Sequence, residues 1–508
     1  MKLRALALAV LLCLELQAAA PLRIVLPSQT AAPERFAADE LLKYLVQMGN
    51  PKPEIVDAPA TGDIYLGGPT GSGDADAFII RSEDGKLLLR GNSPRATLYA
   101  AYHYLESLGA RWYFPGRENE VIPHVNARLT GYDVKQAPSF HKRGIVIYSS
   151  TPGFRDLVDF AAKTKLNTIA LHSDLGLADA ERLFESRGLT LNLERHFFGE
   201  NFCPDDQATF DREKSRFNEY VAALPAAMNE IFLWPADNFL KPCTSPQYRD
   251  YSIPDLILSF ANRMAQALRQ SRPQARFAFL SYFSTWQPPK REKPAGGVLL
   301  EWAPMFQSFG KAIDDPASAV NEEYRKDFEA LVEMFGGART QVLGYWLDDT
   351  LFSRTHYVKL PYVPAALKGD LAYYHRLGVP AVTTFGVITG RDYFASHVSP
   401  AVFLYPKLLW NVQADPHDLM REFCRDYLRS ENAIEIFDLL EKADAMVWVE
   451  RHKLQTARLH DPEFVRIVSR AADLSQKLMI QQQDPETKAR AARLLAEVTS
   501  RFVSVPPE

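Results

Sequence analysis

The sequence has few cysteines, no run of basic residues and no acidic tail, and each of these features excludes a class of protein. The formal net charge of the 508 residues is only -4, so binding to nucleic acid or to an anionic membrane surface is not expected. The sequence contains neither a CxxC nor an HExxH motif, and its 11 histidines are scattered. We therefore expect no metal site and no cofactor.

The N-terminus has the three parts of a secretory signal peptide. Met1–Arg4 is basic, Ala5–Leu14 is apolar, and Ala18–Ala20 supplies small residues where the peptide would be cut. We expect residues 1–20 to be removed and the protein to be exported, to the periplasm or beyond. The apolar run is too short to span a bilayer, so no membrane anchor is expected after cleavage.

Removal of the signal peptide leaves three cysteines, Cys203, Cys243 and Cys424. An odd number in an exported protein leaves at least one thiol unpaired within the chain. Cys203 and Cys243 both follow predicted strands, so a disulfide between them and three free thiols are both open.

The pattern of apolar residues divides the mature chain into three parts. Residues 21–135 mix strands and helices and predict a small α/β domain, with a hairpin turn at Asp84-Gly85. Residues 136–399 alternate apolar runs with helical patterns, which predicts an α/β fold, a (β/α)8 TIM barrel. Residues 400–508 are helical only, and three of their segments begin with an Asp-Pro pair that suits a helix start.

The barrel prediction depends on eight apolar runs, most of them separated by a helical pattern. After the fifth run, Gln287–Gly297 is rich in proline and lysine and predicts no helix. The predicted strands are Gly144–Tyr148, Thr168–His172, Leu189–Leu193, Glu230–Trp234, Phe277–Tyr282, Val298–Trp302, Val342–Trp346 and Ala381–Val387.

Carboxylic acids occur at the ends of three of these strands. The C-terminal ends of all strands meet at the catalytic face of a barrel, so Asp237, Glu301, Asp348 and Asp349 are candidate catalytic residues. Adjacent residues on a strand point to opposite sides, so only one of Asp348 and Asp349 is expected to face the site. Each also has a structural explanation: a turn for Asp237, a buried ion pair for Glu301, and a helix cap for one of the two aspartates.

Aromatic, histidine and arginine side chains near the strand ends are candidates for binding a substrate. Aromatic rings offer flat surfaces to sugars, and an arginine can hold a uronic acid carboxylate by two hydrogen bonds. Taken singly, each aromatic residue is equally consistent with core packing and each arginine with a solvated surface. The candidates are His172, His196, Trp234, Tyr282, Trp302, Trp346, Arg354 and Arg391.

Two regions resemble known families. Leu98–Glu106 and Leu108–Pro115, followed by Glu120 and Pro123, resemble the accessory α/β domain that precedes the barrels of α-glucuronidases and β-N-acetylhexosaminidases. The barrel entered by Pro138–Gly144 resembles a bacterial family of exported, uncharacterised proteins grouped with glycoside hydrolases, domain of unknown function 4838. Together these resemblances cover roughly residues 25 to 410.

The resemblance implies hydrolysis of a glycosidic bond by two carboxyl groups. In α-glucuronidases the acid follows the fourth strand and the base carboxylates follow the sixth and seventh, which implies Asp237 or Glu301 as the acid and Asp349 as its partner. The residue types differ, because Asp237 would replace a glutamate, Glu301 an aspartate, and Asp349 a glutamate. The expected partner is a carbohydrate, either an oligosaccharide or a polysaccharide.

Three alternatives remain open at this point. A β-N-acetylhexosaminidase-like enzyme would use the acetamido group of its substrate, but those enzymes carry an Asp-Glu pair after the fourth strand, where this sequence has Asp237-Asn238. A carbohydrate-binding protein would keep the aromatic surface without catalysis, because one barrel fold hosts many functions. A structural envelope protein would instead need a broad binding surface.

Overall fold

The computed structural model describes residues 21–58, 60–68, 70, 71, 73–148, 150–172, 177–238, 240–348, 360–386, 390–447 and 460–502. The predicted signal peptide lies outside these residues. The chain divides into two compact units, one formed by Met1–Ala110 and Ile122–Ala137, the other by Arg111–Val121 and Pro138–Glu508.

The strands of both units are numbered in chain order. They are β1 (Arg23–Leu26), β2 (Glu54–Asp57), β3 (Ile64–Leu66), β4 (Phe78–Glu83), β5 (Lys86–Gly91), β6 (Arg111–Trp112), β7 (Glu120–Val121), β8 (Asp133–Gln136), β9 (Lys142–Ile147), β10 (Thr168–Leu171), β11 (Thr190–His196), β12 (Glu230–Trp234), β13 (Arg276–Ser281), β14 (Val298–Trp302), β15 (Thr340–Gly344) and β16 (Ala381–Thr384).

The α-helices are numbered in the same way. They are α1 (Ala32–Gln47), α2 (Pro94–Ser107), α3 (Phe154–Lys163), α4 (Leu177–Arg187), α5 (Gln207–Ala222), α6 (Ile253–Ser271), α7 (Ala319–Phe335), α8 (Pro364–Arg376), α9 (Arg391–Phe394), α10 (Ala401–Trp410), α11 (Pro416–Tyr427), α12 (Ile434–Val447), α13 (Pro462–Gln481) and α14 (Pro485–Thr499). Short 3-10 turns occupy Arg117–Asn119, Phe283–Thr285, Gly337–Arg339, Glu431–Ala433 and Ser500–Phe502.

The first unit is a six-stranded sheet in the order β2-β1-β3-β5-β4-β8, with α1 and α2 packed together beside it. Strands β4 and β5 form the hairpin that the sequence predicts. Its turn holds both Asp84 and Gly85 at positive φ, 49° and 76°. Aspartate followed by glycine tolerates this backbone conformation, which matches the twist of the flanking strands.

The second unit contains a closed barrel in which β9 to β16 pair in chain order, every pair parallel. The TIM-barrel prediction is therefore confirmed. Its strands are buried, and they appear as apolar runs in the sequence because parallel strands are covered on both faces. Between β13 and β14, Gln287–Gly297 forms no helix, as expected.

The end of β15 differs from the prediction. The strand stops at Gly344, and Tyr345 to Asp348 form a turn in which the Asp348 amide donates to the Tyr345 carbonyl over 3.2 Å. The Trp346 ring folds back against Gly344, where a Cβ atom would lie 2.1 Å from the indole. The apolar run therefore continues past the strand because the side chains of this turn are also buried.

The last part of the second unit is helical, as predicted. Asp415, Asp461 and Asp484 cap α11, α13 and α14 through side-chain hydrogen bonds to backbone amides, and a proline follows each aspartate. The segment Arg111–Val121 also belongs to this unit. Its Tyr113 ring packs edge-on against the aromatic rings of Phe403, Phe423 and Tyr427. No helix among the described residues is long and apolar enough to cross a membrane.

Candidate active site

Aromatic rings line the barrel where its strands end. Trp234, the last residue of β12, lies 5.2 Å from His196 and 5.5 Å from His172, measured between ring centroids. His172 lies 5.2 Å from Phe385, whose ring stacks on Tyr345 at 5.5 Å. We call these five residues, which come from five strand ends, the aromatic floor.

Both histidines of the floor are held through one ring nitrogen. Nδ1 of His172 lies 2.6 Å from the Glu194 carbonyl oxygen, and Nδ1 of His196 lies 2.5 Å from that of Pro235. A carbonyl oxygen can only accept a hydrogen bond, so each Nδ1 carries the proton. Burial lowers the pKa of His172 to about 4, so its ring is neutral at pH 7 and its Nε2 is a hydrogen-bond acceptor.

Two carboxylates lie close to the aromatic floor. Asp237, in the loop after β12, is exposed and accepts a hydrogen bond from the Tyr282 hydroxyl over 3.1 Å. Asp348, after β15, is 6% exposed. Besides burial, the negative charges of Asp348 and Asp237 raise the pKa of both Tyr148 and Tyr345. The charges of both carboxylates therefore reach the same two phenols, and both carboxylates follow barrel strands at the end where the aromatic floor lies.

Glu301, a predicted catalytic residue, lies deeper. Its carboxyl is fully buried beneath the floor and accepts a hydrogen bond from Trp234 Nε1 over 2.6 Å. A second buried acid that the sequence analysis missed, Glu194, lies beside it, and Gln341 donates to both. An acid inside an apolar strand singled out Glu301, whereas Glu194 comes directly after the predicted strand Leu189–Leu193 and is followed by Arg195 and His196.

Burial and the neighbouring Glu194 carboxylate raise the pKa of Glu301 well above its usual range. Burial also raises the pKa of Glu194, although Lys142, whose Nζ is 3.8 Å from Glu194 Oε1, acts in the opposite direction. Burial and the charge of Glu194 thus favour the neutral form of Glu301, whereas the lysine favours a charge on Glu194.

Three predicted binding residues lie away from the floor. Trp302 is fully buried and packs on Tyr324 and Phe328 of α7. Trp346 is buried, and its Nε1 donates to Asp370 of α8 over 2.9 Å. Both indoles thus belong to the layer between strands and helices.

Arg391, the third of these residues, is exposed and forms ion pairs with Glu118 at 3.2 Å and with Asp156 at 3.7 Å. Asp349 and Arg354 lie outside the described residues. The structure therefore brings together Asp237, Asp348, Tyr282, Trp234, His172 and His196 from the predicted set.

A disulfide connects two loops of the barrel. Cys203, after β11, is bonded to Cys243, after β12, and their Cα atoms are 4.9 Å apart. Cys424 is a buried free thiol on α11. Among the residues that the structure describes, no group of three or more histidine, cysteine or acidic side chains is arranged to hold a metal ion.

Comparisons with known proteins agree with this architecture. A search of curated proteins found no significant sequence match. An enzyme of glycoside hydrolase family 138 that targets the pectin rhamnogalacturonan II superimposes with a TM-score of 0.56 at 9% identity, covering 95% of this chain and 86% of the enzyme. A mutant Streptomyces plicatus β-hexosaminidase in complex with its product superimposes with a TM-score of 0.51 at 13% identity, covering 82% of this chain and 92% of the other.

At these identities the likeness shows a shared fold. The sequence itself adds one match, since residues 210–438 fit the family described as "Domain of unknown function (DUF4838)". This match lies within the second unit and begins before β12, so it includes the loops that carry Asp237 and Asp348. As the sequence resemblance indicated, residues 210–438 match DUF4838, and the chain has a barrel fold that it shares with glycoside hydrolases.

Proposed function

We propose that this protein hydrolyses glycosidic bonds at the aromatic floor of its barrel. The observation that carries the proposal is that Asp237 and Asp348 follow barrel strands β12 and β15, at the end of the barrel where the aromatic floor lies. Glycoside hydrolysis requires two carboxyl groups on either side of the scissile bond. Trp234, Tyr345 and Phe385 are buried, whereas His172 and His196 are half-buried, and an imidazole can exchange hydrogen bonds with the hydroxyl groups of a sugar.

The two carboxylates take complementary roles in this proposal. Asp237 protonates the leaving glycosidic oxygen as the bond to the anomeric carbon breaks, and Asp348 attacks that carbon or takes a proton from the attacking water. The hydroxyl of Tyr282 holds Asp237 in place. Glu301 has no direct role in this proposal because its carboxyl is closed off beneath Trp234. Asp349, which follows Asp348 directly, stays an alternative partner for Asp237.

The finer proposal is an α-glucuronidase-like activity. It is supported by the positions of the carboxylates, one after the fourth barrel strand and one after the seventh. A uronic acid also requires a cation, for which Arg354 stays the candidate, since Arg391 lies away from the floor in ion pairs with Glu118 and Asp156. A β-N-acetylhexosaminidase-like activity is the alternative, and a carbohydrate-binding protein without catalysis is the rival from another class.

We also propose that the protein is exported. The Cys203–Cys243 disulfide supports this localisation, because such bonds persist in oxidising compartments such as the bacterial periplasm. The sequence of residues 1–20 supports it independently.

Sugar release from a panel of defined glycans tests the proposed activity. The panel contains α-glucuronides, β-N-acetylglucosaminides, and uronic-acid-decorated and amino-sugar polysaccharides. Wild type is compared with the double variant Asp237→Asn, Asp348→Asn, and with Asp473→Asn, which changes an exposed acid of α13. Release by wild type and Asp473→Asn but not by the double variant supports the proposal, and the responsive glycan identifies the sugar.

Binding without release from any glycan of the panel would contradict hydrolysis and favour the carbohydrate-binding alternative. Equal sugar release by wild type and the double variant would show that hydrolysis takes place at another site.

A further inference from the structure

Three polar side chains fill the centre of the barrel directly beneath the aromatic floor. Glu194 and Glu301 are 0% exposed and Gln341 is 3% exposed. Gln341 Nε2 lies 3.1 Å from Glu194 Oε1 and 3.0 Å from Glu301 Oε1, so one amide group serves both acids. We call these three residues the buried acid layer.

The buried acid layer is connected to two rings of the floor. Glu301 directs its second oxygen, Oε2, at the indole Nε1 of Trp234, and the distance is 2.6 Å. The backbone carbonyl of Glu194 accepts the Nδ1 hydrogen of His172 over 2.6 Å. Both distances are at the short end of the range for hydrogen bonds in proteins, so the two rings are held in defined orientations.

A contribution to stability alone does not account for two acids in this place. Buried ionisable pairs are costly to desolvate, and well-packed apolar side chains of similar volume are often as stable or more stable. The charged groups around the layer lie on one side of it. Lys142, the first residue of β9, is within 4 Å of Glu194 and Glu230, and Arg276 pairs with Glu230. Lys142 contacts Glu194, Gln341 links Glu194 to Glu301, and Glu301 accepts the hydrogen bond from Trp234.

We propose that Glu301 is a positioning residue for the site: through the indole N–H of Trp234, a ring that is only 2% exposed, it fixes the support of the half-buried His172 and His196, and it touches no substrate itself. The effect of this positioning role on catalysis rests on the proposed hydrolase function. The hydrogen bond itself and its effect on sugar binding do not depend on that function, so they can be tested in the absence of any activity.

Two substitutions separate positioning from packing. Glu301→Gln keeps the length of the side chain and an oxygen that accepts from Trp234, and it resembles the protonated acid. Glu301→Met keeps a similar volume but removes the acceptor. If Glu301 positions Trp234, Glu301→Gln should keep the Trp234 hydrogen bond and the activity that Glu301→Met loses. If Glu301 only fills space, the two variants should behave alike.

The main readout is the indole N–H signal of Trp234 in protein labelled with 15N-tryptophan. The chain has seven tryptophans, and the signal that disappears in Trp234→Phe assigns this one. We expect it downfield and slow to exchange in wild type and in Glu301→Gln, and shifted upfield with faster exchange in Glu301→Met. On the glycan that the panel identifies, Glu301→Met should lose about 10- to 100-fold in kcat/KM, because His172 and His196 lose their fixed support, and Glu301→Gln should recover most of it.

Two results would overturn the proposal. One is a Trp234 signal that stays unmoved in Glu301→Met; the other is a moved signal with unchanged sugar affinity and kcat/KM. If wild type releases no sugar, the proposed hydrolase function fails, but glycan-induced shifts of the Trp234 signal in the two variants still decide whether Glu301 positions the ring. If Glu301→Met does not fold, wild type decides, because rapid exchange of the Trp234 indole proton would contradict a fixed hydrogen bond.

Discussion

The hydroxyl of Tyr282 donates a hydrogen bond to Asp237 over 3.1 Å, and the same oxygen lies 3.2 Å from the sulfur of Met305. Tyr282 follows β13, whereas Asp237 lies in the loop after β12, so the contact joins two neighbouring loops of the barrel. An exposed carboxylate on a loop has many rotamers. The phenol selects the one that points toward the tyrosine.

Removal of this hydroxyl should weaken catalysis without abolishing it. Tyr282→Phe keeps the ring and loses the hydrogen bond to Asp237, so we expect kcat/KM to fall about tenfold, which corresponds to the upper end of the free energy of an ordinary hydrogen bond. The steady-state rate on the responsive glycan measures this effect. An unchanged rate would show that Asp237 needs no orientation by Tyr282.

The neutral His172 ring should make stability depend on pH. The pKa of His172 falls from 6.5 to about 4 on folding, so between these values the unfolded state binds more protons and stability decreases as pH falls. From pH 7.5 to pH 5 this loss is about 2 kcal/mol in the free energy of unfolding. Urea unfolding at both pH values should show a smaller loss in His172→Asn, which keeps an N–H for the Glu194 carbonyl. Equal losses in the two proteins would rule out a buried neutral His172.

The raised pKa of Glu301 should affect the pH dependence of stability in the opposite direction to that of His172. Its folded-state pKa is raised, so above the pKa of the unfolded acid the folded state binds more protons, and the contribution of Glu301 to stability decreases as pH rises. Glu301→Gln carries no such proton. The difference in unfolding free energy between Glu301→Gln and wild type should therefore shift in favour of the variant from pH 5 to pH 8, while Asp473→Asn shows no such trend. A difference that is constant with pH would contradict protonation of Glu301.

The disulfide should stabilise the barrel unit substantially. Its two cysteines are 40 residues apart in sequence, and a closed loop of that length corresponds to about 4 kcal/mol through the entropy of the unfolded chain. A reductant should lower the free energy of unfolding of wild type and of Cys424→Ala, and leave the double variant Cys203→Ser, Cys243→Ser unaffected. A wild type insensitive to reductant would mean that the bond contributes little.

The barrel could be predicted from sequence because parallel strands leave a strong signal. Strands β12 and β14 have the predicted bounds, since both are apolar runs covered on two sides. Strand β15 ends earlier than predicted because Tyr345 and Trp346 are buried in a turn. Helix α5 ends at Ala222, and Pro225 lies three residues beyond it; the residue before a proline disfavours the helical conformation.

The site was predictable in part, and the rest depended on which way each side chain faces. Glu301 and Trp302 are neighbours on β14, so only one of them faces the barrel interior. Glu301 does so, and Trp302 packs against α7. Glu194 was missed because it lies just past the predicted strand Leu189–Leu193, and because its contact with Gln341 joins residues 147 positions apart in the chain.

The central claim is that Asp237 and Asp348 carry the hydrolysis. The most direct test is kcat/KM of Asp237→Asn and of Asp348→Asn, separately, on the glycan that wild type cleaves, with Asp473→Asn as the control. Loss of an acid or base group costs about 10²- to 10⁴-fold, so we predict losses of this size in both variants and none in the control. Two variants as active as wild type would contradict the account.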